Sequence, residues 1–393
     1  MYFVTFILKN LTRRPVRTAL TVLGLSVAIG SMVALLGISN NFVESVVSTF
    51  ERRGVDLVVV PGGQTDQLSG KVDEWVVEAV RKLDKVATAD PGLIDVAEMW
   101  QRDPRNENDT PPSMQVMVQA WPPENFQHSD LEILDGRVLA AEDAGQHRVI
   151  LGSTLAENLG KKVGDKVTFL GKQYEVIGVY KSFNVFETGS ILLLLKDYQK
   201  EVGLEGKITG FTVQVKKGAN PDADIEEVRQ AIKNLKDPDG KPVRLSAERP
   251  RDYAEKASHL RLTRAMAWMV SAIAIVIGVI SMLNTMVMSV LERTQEIGIL
   301  RAVGWTKFRI VRMVLGEAVF LGLAAAAVGV VGALAITYLL SMMPRVNGFI
   351  EGGISPRVIV EGVLMTVLIG LAGGAYPAIR AARMLPTEAI RHD

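Results

Sequence analysis

The segment Glu292–Arg312, with the sequence ERTQEIGILRAVGWTKFRIVR, is charged and lies between two runs that are apolar enough to cross a membrane. Its apolar residues recur at helical spacing as far as Val303, which predicts a short helix. Gly304 then supplies a helix stop, and the hydroxyl of Thr306 can cap the helix that follows. The segment is therefore predicted to lie across the end of a membrane hairpin and to expose one surface.

About 20 apolar residues are needed to span the hydrocarbon core of a membrane. Four predominantly apolar stretches meet that need: 18–43, 265–291, 313–344 and 358–379. The other segments are predicted as a cytoplasmic amphipathic helix at 1–17, an extracytoplasmic core domain with a helical stalk at 44–264, a cytoplasmic coupling helix at 292–312, an outer loop at 345–357 and a cytoplasmic tail at 380–393. The predicted fold class is a membrane protein with four transmembrane α-helices and a large extracytoplasmic α/β (α+β) domain inserted between helices 1 and 2.

Basic residues are concentrated on one side of these spans. Arg13, Arg14 and Arg17 precede the first span, five basic residues separate the second from the third, and Arg380 and Arg383 follow the fourth. Because basic loops stay in the cytoplasm, both termini and the segment 292–312 are predicted to be cytoplasmic and the large insertion to lie outside. The apolar run after the N-terminal charges is too long for the core of a cleavable signal peptide.

The insertion alternates strand-like and helix-like patterns. Strands are predicted at 55–60, 114–121, 148–151, 166–170, 173–180, 208–215 and 243–245, and helices at 72–83, 153–159 with Ser153 as the cap, 222–235 and 249–264. A polar, proline-containing stretch at 103–112 is typical of an exposed loop. Together these elements indicate an α/β or α+β domain joined to the membrane by helices.

The composition indicates a membrane protein without chemistry of its own. Hydrophobic residues make up 48% of the 393, and 44 basic residues nearly cancel 43 acidic ones, so the net charge itself says nothing about partners. No nucleic-acid partner is predicted. The sequence contains no cysteine, no GxxxxGK[ST] or HExxH motif, and four scattered histidines. We therefore predict no catalytic residue, no metal site and no cofactor bound by this chain.

Small residues within the spans predict where helices approach one another closely. These are Gly30 in the first span, Gly322 and Gly329 in the third, and Gly370 and Gly374 in the fourth. Packing within one subunit is favoured over a substrate path for these faces. Asn284 is the most polar residue well inside the second span, and a hydrogen bond to a neighbouring helix is favoured there over a contact with cargo, while a gating role is kept open.

Three ordered series of residues resemble the MacB/FtsX-type ABC transporter permease family, which contains the macrolide exporter and the lipoprotein-release and cell-division permeases. The first series lies in the coupling segment and consists of Arg293, Glu296, Ile297, Gly298, Arg301, Ala302 and Gly304. The second runs from Gly136 to Val179, and the third comprises Pro377, Ala381, Ala382, Pro386, Glu388, Ala389 and Arg391. Trp305 departs from the family pattern, which more often has a small residue there.

The resemblance implies the permease subunit of a type VII-like ABC system that works by mechanotransmission. A dimer of separate ABC ATPase subunits, holding ATP and Mg, would push the coupling helix and so move the outer domain. The residues implied in the ATPase contact are Glu292, Arg293, Glu296, Ile297, Gly298, Arg301 and Gly304. The cargo would be amphipathic: a drug, lipid, lipoprotein or peptide that is exported or extracted.

Two other functions stay open at this point. One is an FtsX-like signalling permease that activates an extracytoplasmic cell-wall hydrolase, and the other is a membrane-anchored enzyme, which the missing catalytic constellation disfavours. Besides the ATPase, the implied partners are a second copy of this permease or a related one, a periplasmic adaptor or other outer partner, and membrane lipid. The implied location is the bacterial cell (inner) membrane, crossed several times, with both termini cytoplasmic.

Overall fold

The computed structural model describes residues 15–63, 70–100, 113–127, 129–182, 185–341 and 353–384. The chain divides into two compact units. Met1–Asn41, Thr263–Leu340 and Gly352–Asp393 form the first, called the membrane unit, while Phe42–Leu262 and Ser341–Glu351 form the second, called the head. Most of the predicted helix at 1–17, the loop at 103–112, most of the outer loop at 345–357 and most of the tail at 380–393 lie outside the described residues.

Among the described residues, four helices are long and apolar enough to cross a membrane. These helices are α1 (Pro15–Arg52), α9 (Ser258–Glu292), α11 (Lys307–Ser341) and α12 (Pro356–Arg383), and the short α10 (Thr294–Ala302) lies between α9 and α11. The remaining helices belong to the head: α2 (Trp75–Arg81), α3 (Pro123–Gln127), α4 (Ser153–Leu159), α5 (Val185–Thr188), α6 (Leu195–Val202), α7 (Pro221–Lys233) and α8 (Pro250–Lys256).

The glycines predicted to pack helices lie at close contacts in the membrane unit. A methyl group added to Gly30 of α1 would come within 2.9 Å of the carbonyl oxygen of Gly329 in α11. Gly370 and Gly374 of α12 lie against Ala318, and Gly322 lies against Thr366 of α12. Because no side chain separates these backbones, a larger residue at Gly30 has no space unless the helices move apart.

A ten-stranded sheet forms the centre of the head. Its strands are β1 (Leu57–Pro61), β3 (Val86–Trp100), β4 (Ser113–Trp121), β5 (Glu132–Gly136), β6 (Arg148–Gly152), β7 (Lys166–Phe169), β8 (Lys172–Lys181), β9 (Ser190–Leu194), β11 (Gly210–Val215) and β12 (Leu245–Glu248), while β2 (Val72–Asp73) and β10 (Lys207–Ile208) form a separate pair. The spatial order is β12-β1-β11-β3-β4-β9-β6-β8-β5, with β7 beside β3 and β8. Only the β4–β9 and β6–β8 pairs are parallel among the described ladders.

Strand β3 joins two parts of this sheet. Its first half, Val86–Gly92, pairs with β11, and its second half, Leu93–Trp100, pairs with β4. The sheet is consequently offset at Pro91–Gly92, where proline has no N–H to donate to a neighbouring strand.

Side chains alternate between two cores across the centre of the sheet. Leu151 and Ile191 belong to the larger core, whereas Ile150 and Leu192 belong to a second core on the opposite face. Successive residues of a strand point to opposite faces, so strands that are buried throughout require apolar residues at every position. This explains the run of four apolar residues, Ile191–Leu194, in β9.

The predicted fold class is confirmed, but some predicted elements need correction. The segment 72–83 holds strand β2 before its helix starts at Trp75, and Ser153 is the first helical residue of α4 rather than its cap. The helix expected over 249–264 is divided at Ala257 between α8 and α9. Strands β3, β5 and β9 were not predicted.

Candidate functional site

The coupling segment, defined as residues 292–312, forms a bent connection between α9 and α11. Helix α9 ends at Glu292, α10 covers Thr294–Ala302, and α11 begins at Lys307. Gly304 has a φ of +99°, a backbone conformation that side chains disfavour, so glycine allows the chain to reverse here. The hydroxyl of Thr306 accepts a hydrogen bond from the backbone N–H of Arg309 at 3.4 Å, as expected of a helix cap.

Arg293 ties this segment to the neighbouring helix α11. Its Nη1 lies 3.0 Å from Oε2 of Glu317, which is almost completely buried, and its Nε donates to Glu296 at 3.1 Å. Breaking such a pair leaves an uncompensated buried charge, which is strongly destabilising. Arg293 therefore faces the helix bundle and is a positioning residue rather than part of an exposed contact surface.

Three other predicted contact residues are also turned inward in part. Ile297 and Gly298 are buried, and Ile297 belongs to the apolar core of the membrane unit. Nη1 of Arg301 donates to the carbonyl oxygen of Trp305 at 3.0 Å, while its Nε is buried and has no hydrogen-bond partner in the described chain. Of the predicted set, Glu292, Glu296 and Gly304 are the exposed members.

The exposed side of the coupling segment carries apolar residues that sequence reasoning missed. Ile299, Val303 and Phe308 expose 54%, 77% and 73% of their surface. The spacing of four between Ile299 and Val303 was the available signal, since residues four apart lie on one side of a helix and Val303 directly follows α10. We call these three residues the apolar patch. A patch of this kind, rimmed by charged residues, is typical of a protein contact surface.

Helix α9 is the least buried of the four candidate spans. Of an apolar 18-residue stretch of α9, 22% is buried, whereas 33–44% of the corresponding stretch is buried in each of the other three helices. Ile273, Ile277, Ile280 and Met288 are exposed at intervals of three and four residues along one stripe, and Asn284 lies in the same stripe. The expectation that Asn284 bonds to a neighbouring helix is wrong within this chain, because its carboxamide is exposed and makes no hydrogen bond in the described residues.

The described residues contain no group of three or more His, Asp or Glu side chains that could hold a metal ion. The coupling segment offers an exposed apolar patch and an ion pair to α11.

Two family models match this chain in succession. The model described as MacB-like periplasmic core domain matches residues 18–235, which is more than half of the chain. The model described as FtsX-like permease C-terminal matches residues 268–386, which includes the coupling segment. The chain is a MacB/FtsX-type ABC transporter permease. The predicted family resemblance is thereby confirmed.

Individual relatives agree with the assignment of this permease. An uncharacterized ABC transporter permease of Methanocaldococcus jannaschii is 27% identical, over 99% of this chain and 98% of its own length. The macrolide export ATP-binding/permease protein MacB of Escherichia coli is 25% identical over 98% of this chain, which spans 60% of that protein. The crystal structure of the periplasmic region of MacB from Actinobacillus actinomycetemcomitans aligns with 52% of this chain and 94% of its own, with 14% identity and a TM-score of 0.39.

Proposed function

We propose that this permease couples ATP hydrolysis by a separate ATPase dimer to movement of its head, and that this mechanotransmission exports or extracts an amphipathic molecule. The main support is the coupling segment, whose apolar patch is exposed while Arg293 fastens the segment to α11. A push on α10 would then be passed to α11 instead of being absorbed by a loose loop. ATP and Mg would be held by the partner.

The orientation proposed for this coupling follows the distribution of basic residues. The coupling segment carries Arg293, Arg301, Lys307, Arg309 and Arg312, and α12 ends with two arginines in its last turn. This supports a cytoplasmic location for the segment and for both termini. The permease would then lie in the cell membrane, with the head on the side away from the cytoplasm.

The ATPase contact is tested by placing a charge in the apolar patch. We expect Val303→Asp to reduce ATPase binding and permease-stimulated ATP turnover at least tenfold in lipid nanodiscs, because a carboxylate would be desolvated at the contact. Leu134→Asp is the control, since Leu134 is also an exposed apolar residue and lies in the head. Arg301→Glu tests Arg301, which the family resemblance implies as a residue of the ATPase contact. Unchanged assembly and turnover with Val303→Asp would contradict the proposed contact.

A homodimer is proposed because the uncovered stripe of α9 fits a second copy of itself. Two parallel α9 helices related by a two-fold axis would bring Asn284 opposite its copy, and a carboxamide can both donate to and accept from another carboxamide. Such pairing would remove an exposed polar group from the hydrocarbon region, as single asparagines do in paired helices.

The absence of cysteine from the sequence gives a clean test of this interface. We expect Asn284→Cys to form a covalent dimer in membranes with a short thiol crosslinker. Val328→Cys is the control, since Val328 is exposed on α11 at a similar fraction to Met288 on α9. Efficient crosslinking at 328 and none at 284, with this chain as the sole permease present, would overturn the proposed interface and place the second copy against α11 instead.

Export or extraction is favoured over the signalling alternative by one feature of the head. The described head residues enclose a cavity of about 400 Å³, and known ligand pockets of proteins start at about 300 Å³. A permease that acts only as a signal transmitter has no need of such a cavity.

A further inference from the structure

Helices α1 and α9 pack against each other as an antiparallel pair in the membrane unit. The hydroxyl oxygens of Thr21 and Thr285 lie 3.3 Å apart, and a methyl group added to Gly278 of α9 would lie 3.7 Å from the side chain of Leu25 in α1. Between these two contacts the residue number rises along α1 and falls along α9, so the helices run in opposite directions. The contacts fix the register of the pair.

This register brings a serine and an arginine opposite each other at the end of α9 that follows the head in the sequence. Leu36 of α1 and Ala267 of α9 continue the register and are buried in the same apolar core. Three residues further along each helix, which is about one turn, the register reaches Ser39 of α1 and Arg264 of α9.

Ser39 is buried without a hydrogen-bond partner. Only 3% of its surface is exposed, and its Oγ has no partner among the described residues. Other buried hydroxyls of the spans are satisfied by their own helix: those of Ser271 and Thr337 donate to the carbonyl oxygen four positions earlier, at 2.7 and 2.8 Å. A buried hydroxyl without a partner is costly. The hydroxyl of Ser39 is therefore available to a bound group.

Arg264 is half-buried and also unpaired. Its guanidinium makes no hydrogen bond or ion pair in the part of the chain that the structure describes, and the sequence has no acidic residue at 18–43 or 265–291. Asn40 adds a half-buried carboxamide that makes no hydrogen bond in the described ranges. We call Ser39, Asn40 and Arg264 the polar cluster. It offers several N–H and O–H donors and carries a positive charge, a combination that suits an anion.

The depth of the polar cluster favours a lipid over a soluble anion. Arg264 directly precedes the charge-free stretch 265–291 of α9, so it lies where the hydrocarbon region meets the headgroups. A guanidinium holds two phosphate oxygens through parallel hydrogen bonds, and basic pockets between transmembrane helices bind anionic headgroups. The phosphate of a lipid is present at this depth, whereas a soluble anion would have to leave water to reach it.

We propose that the polar cluster binds the headgroup of one anionic phospholipid in the leaflet that surrounds this end of α9. Arg264 would hold the phosphate, and the donors of Ser39 and Asn40 would complete its hydrogen bonds. Arg264 and Ile273 are nine residues apart and so lie on opposite sides of α9, which leaves the uncovered stripe free for a second copy. This site goes beyond the proposed function, since it needs neither ATPase nor cargo.

Trp268 supplies a reporter of this lipid. It lies four residues after Arg264, about 6 Å along the helix axis, and 43% of its surface is exposed. The full-length permease is placed in phosphatidylcholine nanodiscs with increasing fractions of phosphatidylglycerol that is brominated on its acyl chains, and the quenching seen with Trp268→Phe is subtracted. Brominated phosphatidylcholine gives the reference series. We expect phosphatidylglycerol to associate about fivefold more strongly than phosphatidylcholine. Equal association of the two lipids would overturn the proposal.

Variants of the polar cluster test which residues give this preference. We expect Arg264→Gln to abolish it, Arg264→Lys to keep at least half of it, and Ser39→Ala to lower it about twofold. Arg261→Gln is the control, because it removes an exposed arginine from the same end of α9. An undiminished preference in Arg264→Gln, or an equal loss in Arg261→Gln, would show a diffuse attraction to the membrane surface and contradict the site.

Inorganic phosphate distinguishes the lipid from a soluble anion. We expect millimolar phosphate to leave the quenching by phosphatidylglycerol unchanged at constant ionic strength, since the acyl chains keep the lipid at this depth. Displacement by phosphate and not by chloride would show that the polar cluster takes a soluble anion, and the choice of a lipid would be wrong. The permease is measured alone, so failure of the ATPase contact at Val303 would not affect this result.

Discussion

An arginine follows the end of a long helix in each unit, and the two arginines are held differently. Arg53 comes directly after α1 and makes a two-pronged ion pair with Glu187, a second ion pair with Asp130 and a contact with the face of Trp121. Arg293 comes directly after α9 and bonds buried Glu317 through a single nitrogen, sharing its other bond with the half-exposed Glu296. We call these the head junction and the coupling junction.

The comparison indicates which junction resists movement. Burial alone lowers the pKa of Arg53, but the ion pairs with Glu187 and Asp130 outweigh it and raise that pKa above its ordinary value. The head junction is consequently a fixed connection, because all three guanidinium nitrogens of Arg53 donate to carboxylate oxygens. The coupling junction has fewer bonds and a more exposed second partner, so we expect it to adjust when α10 moves.

The largest effect is expected from Arg53→Ala at the head junction. Glu187 would remain buried without a counter-charge, and we expect the free energy of unfolding of the head to fall by about 3–5 kcal/mol. Urea unfolding of the full-length permease, followed by hydrogen exchange of the β4 and β9 amides, measures this. Arg251→Ala is the control, because Arg251 pairs with Glu44 at the surface and such pairs contribute about 0–1 kcal/mol. Equal losses in the two variants would remove the distinction drawn here.

A smaller effect is expected from Arg293→Ala at the coupling junction. Glu317 would lose its partner, and we expect the local opening free energy of α10 to fall by about 2 kcal/mol. Hydrogen exchange of residues 294–302 in nanodiscs measures it, with Arg309→Ala as an exposed control. Adding Glu317→Gln should restore part of the protection, since the buried charge is then gone. A double variant that exchanges faster than Arg293→Ala would contradict this account.

The smallest effect concerns a third ion network, which sharpens the comparison through its pH dependence. Asp143 is buried and accepts from Arg137 at 2.6 Å, from the backbone N–H of Ala140 at 2.9 Å and from Arg148 at 2.7 Å. The hydrogen bond from Arg137, helped by those from Ala140 and Arg148 and opposed by burial, holds the pKa of Asp143 well below its ordinary value.

A carboxylate whose pKa is depressed by folding stabilises the folded state above its unfolded pKa of about 4. Its contribution is lost as pH falls from that value towards the folded pKa. We expect Asp143→Asn to lower the unfolding free energy by about 1 kcal/mol at neutral pH, and this difference to shrink below about pH 4. Urea midpoints at pH 7, 5 and 3 measure it, with exposed Asp135→Asn as the control. A difference that is constant over this range would rule out the linkage.

Much of the fold was predictable because the signals were local. The spans follow from long apolar runs, and the β7–β8 pair follows from alternation around Gly171, whose φ is +72°. Strand β3 was missed because Asp90, Pro91 and Gly92 are turn-forming residues in isolation. They form a strand here because two different neighbours pair with the segments on either side.

The candidate site was only partly predictable. Gly304 was identified as the turn and Thr306 as the cap, because both act within a few residues of themselves. The distinction between inward and outward residues was not predictable, because Ile297 and Ile299 are equally apolar and only two positions apart. Packing into the apolar core of the membrane unit buries Ile297 and leaves Ile299 in the apolar patch.

The sequence alone determined the class of this protein, its four spans and the position of the coupling segment, because apolar length, basic flanks and short-range turn chemistry are written in consecutive residues. Only the tertiary structure decided which charges are joined and where a cavity opens. Arg53 and Glu187 are 134 positions apart in the sequence, and Leu57 of β1 pairs with the distant Val213 of β11. Contacts over such separations depend on strand order and register, which no local pattern contains.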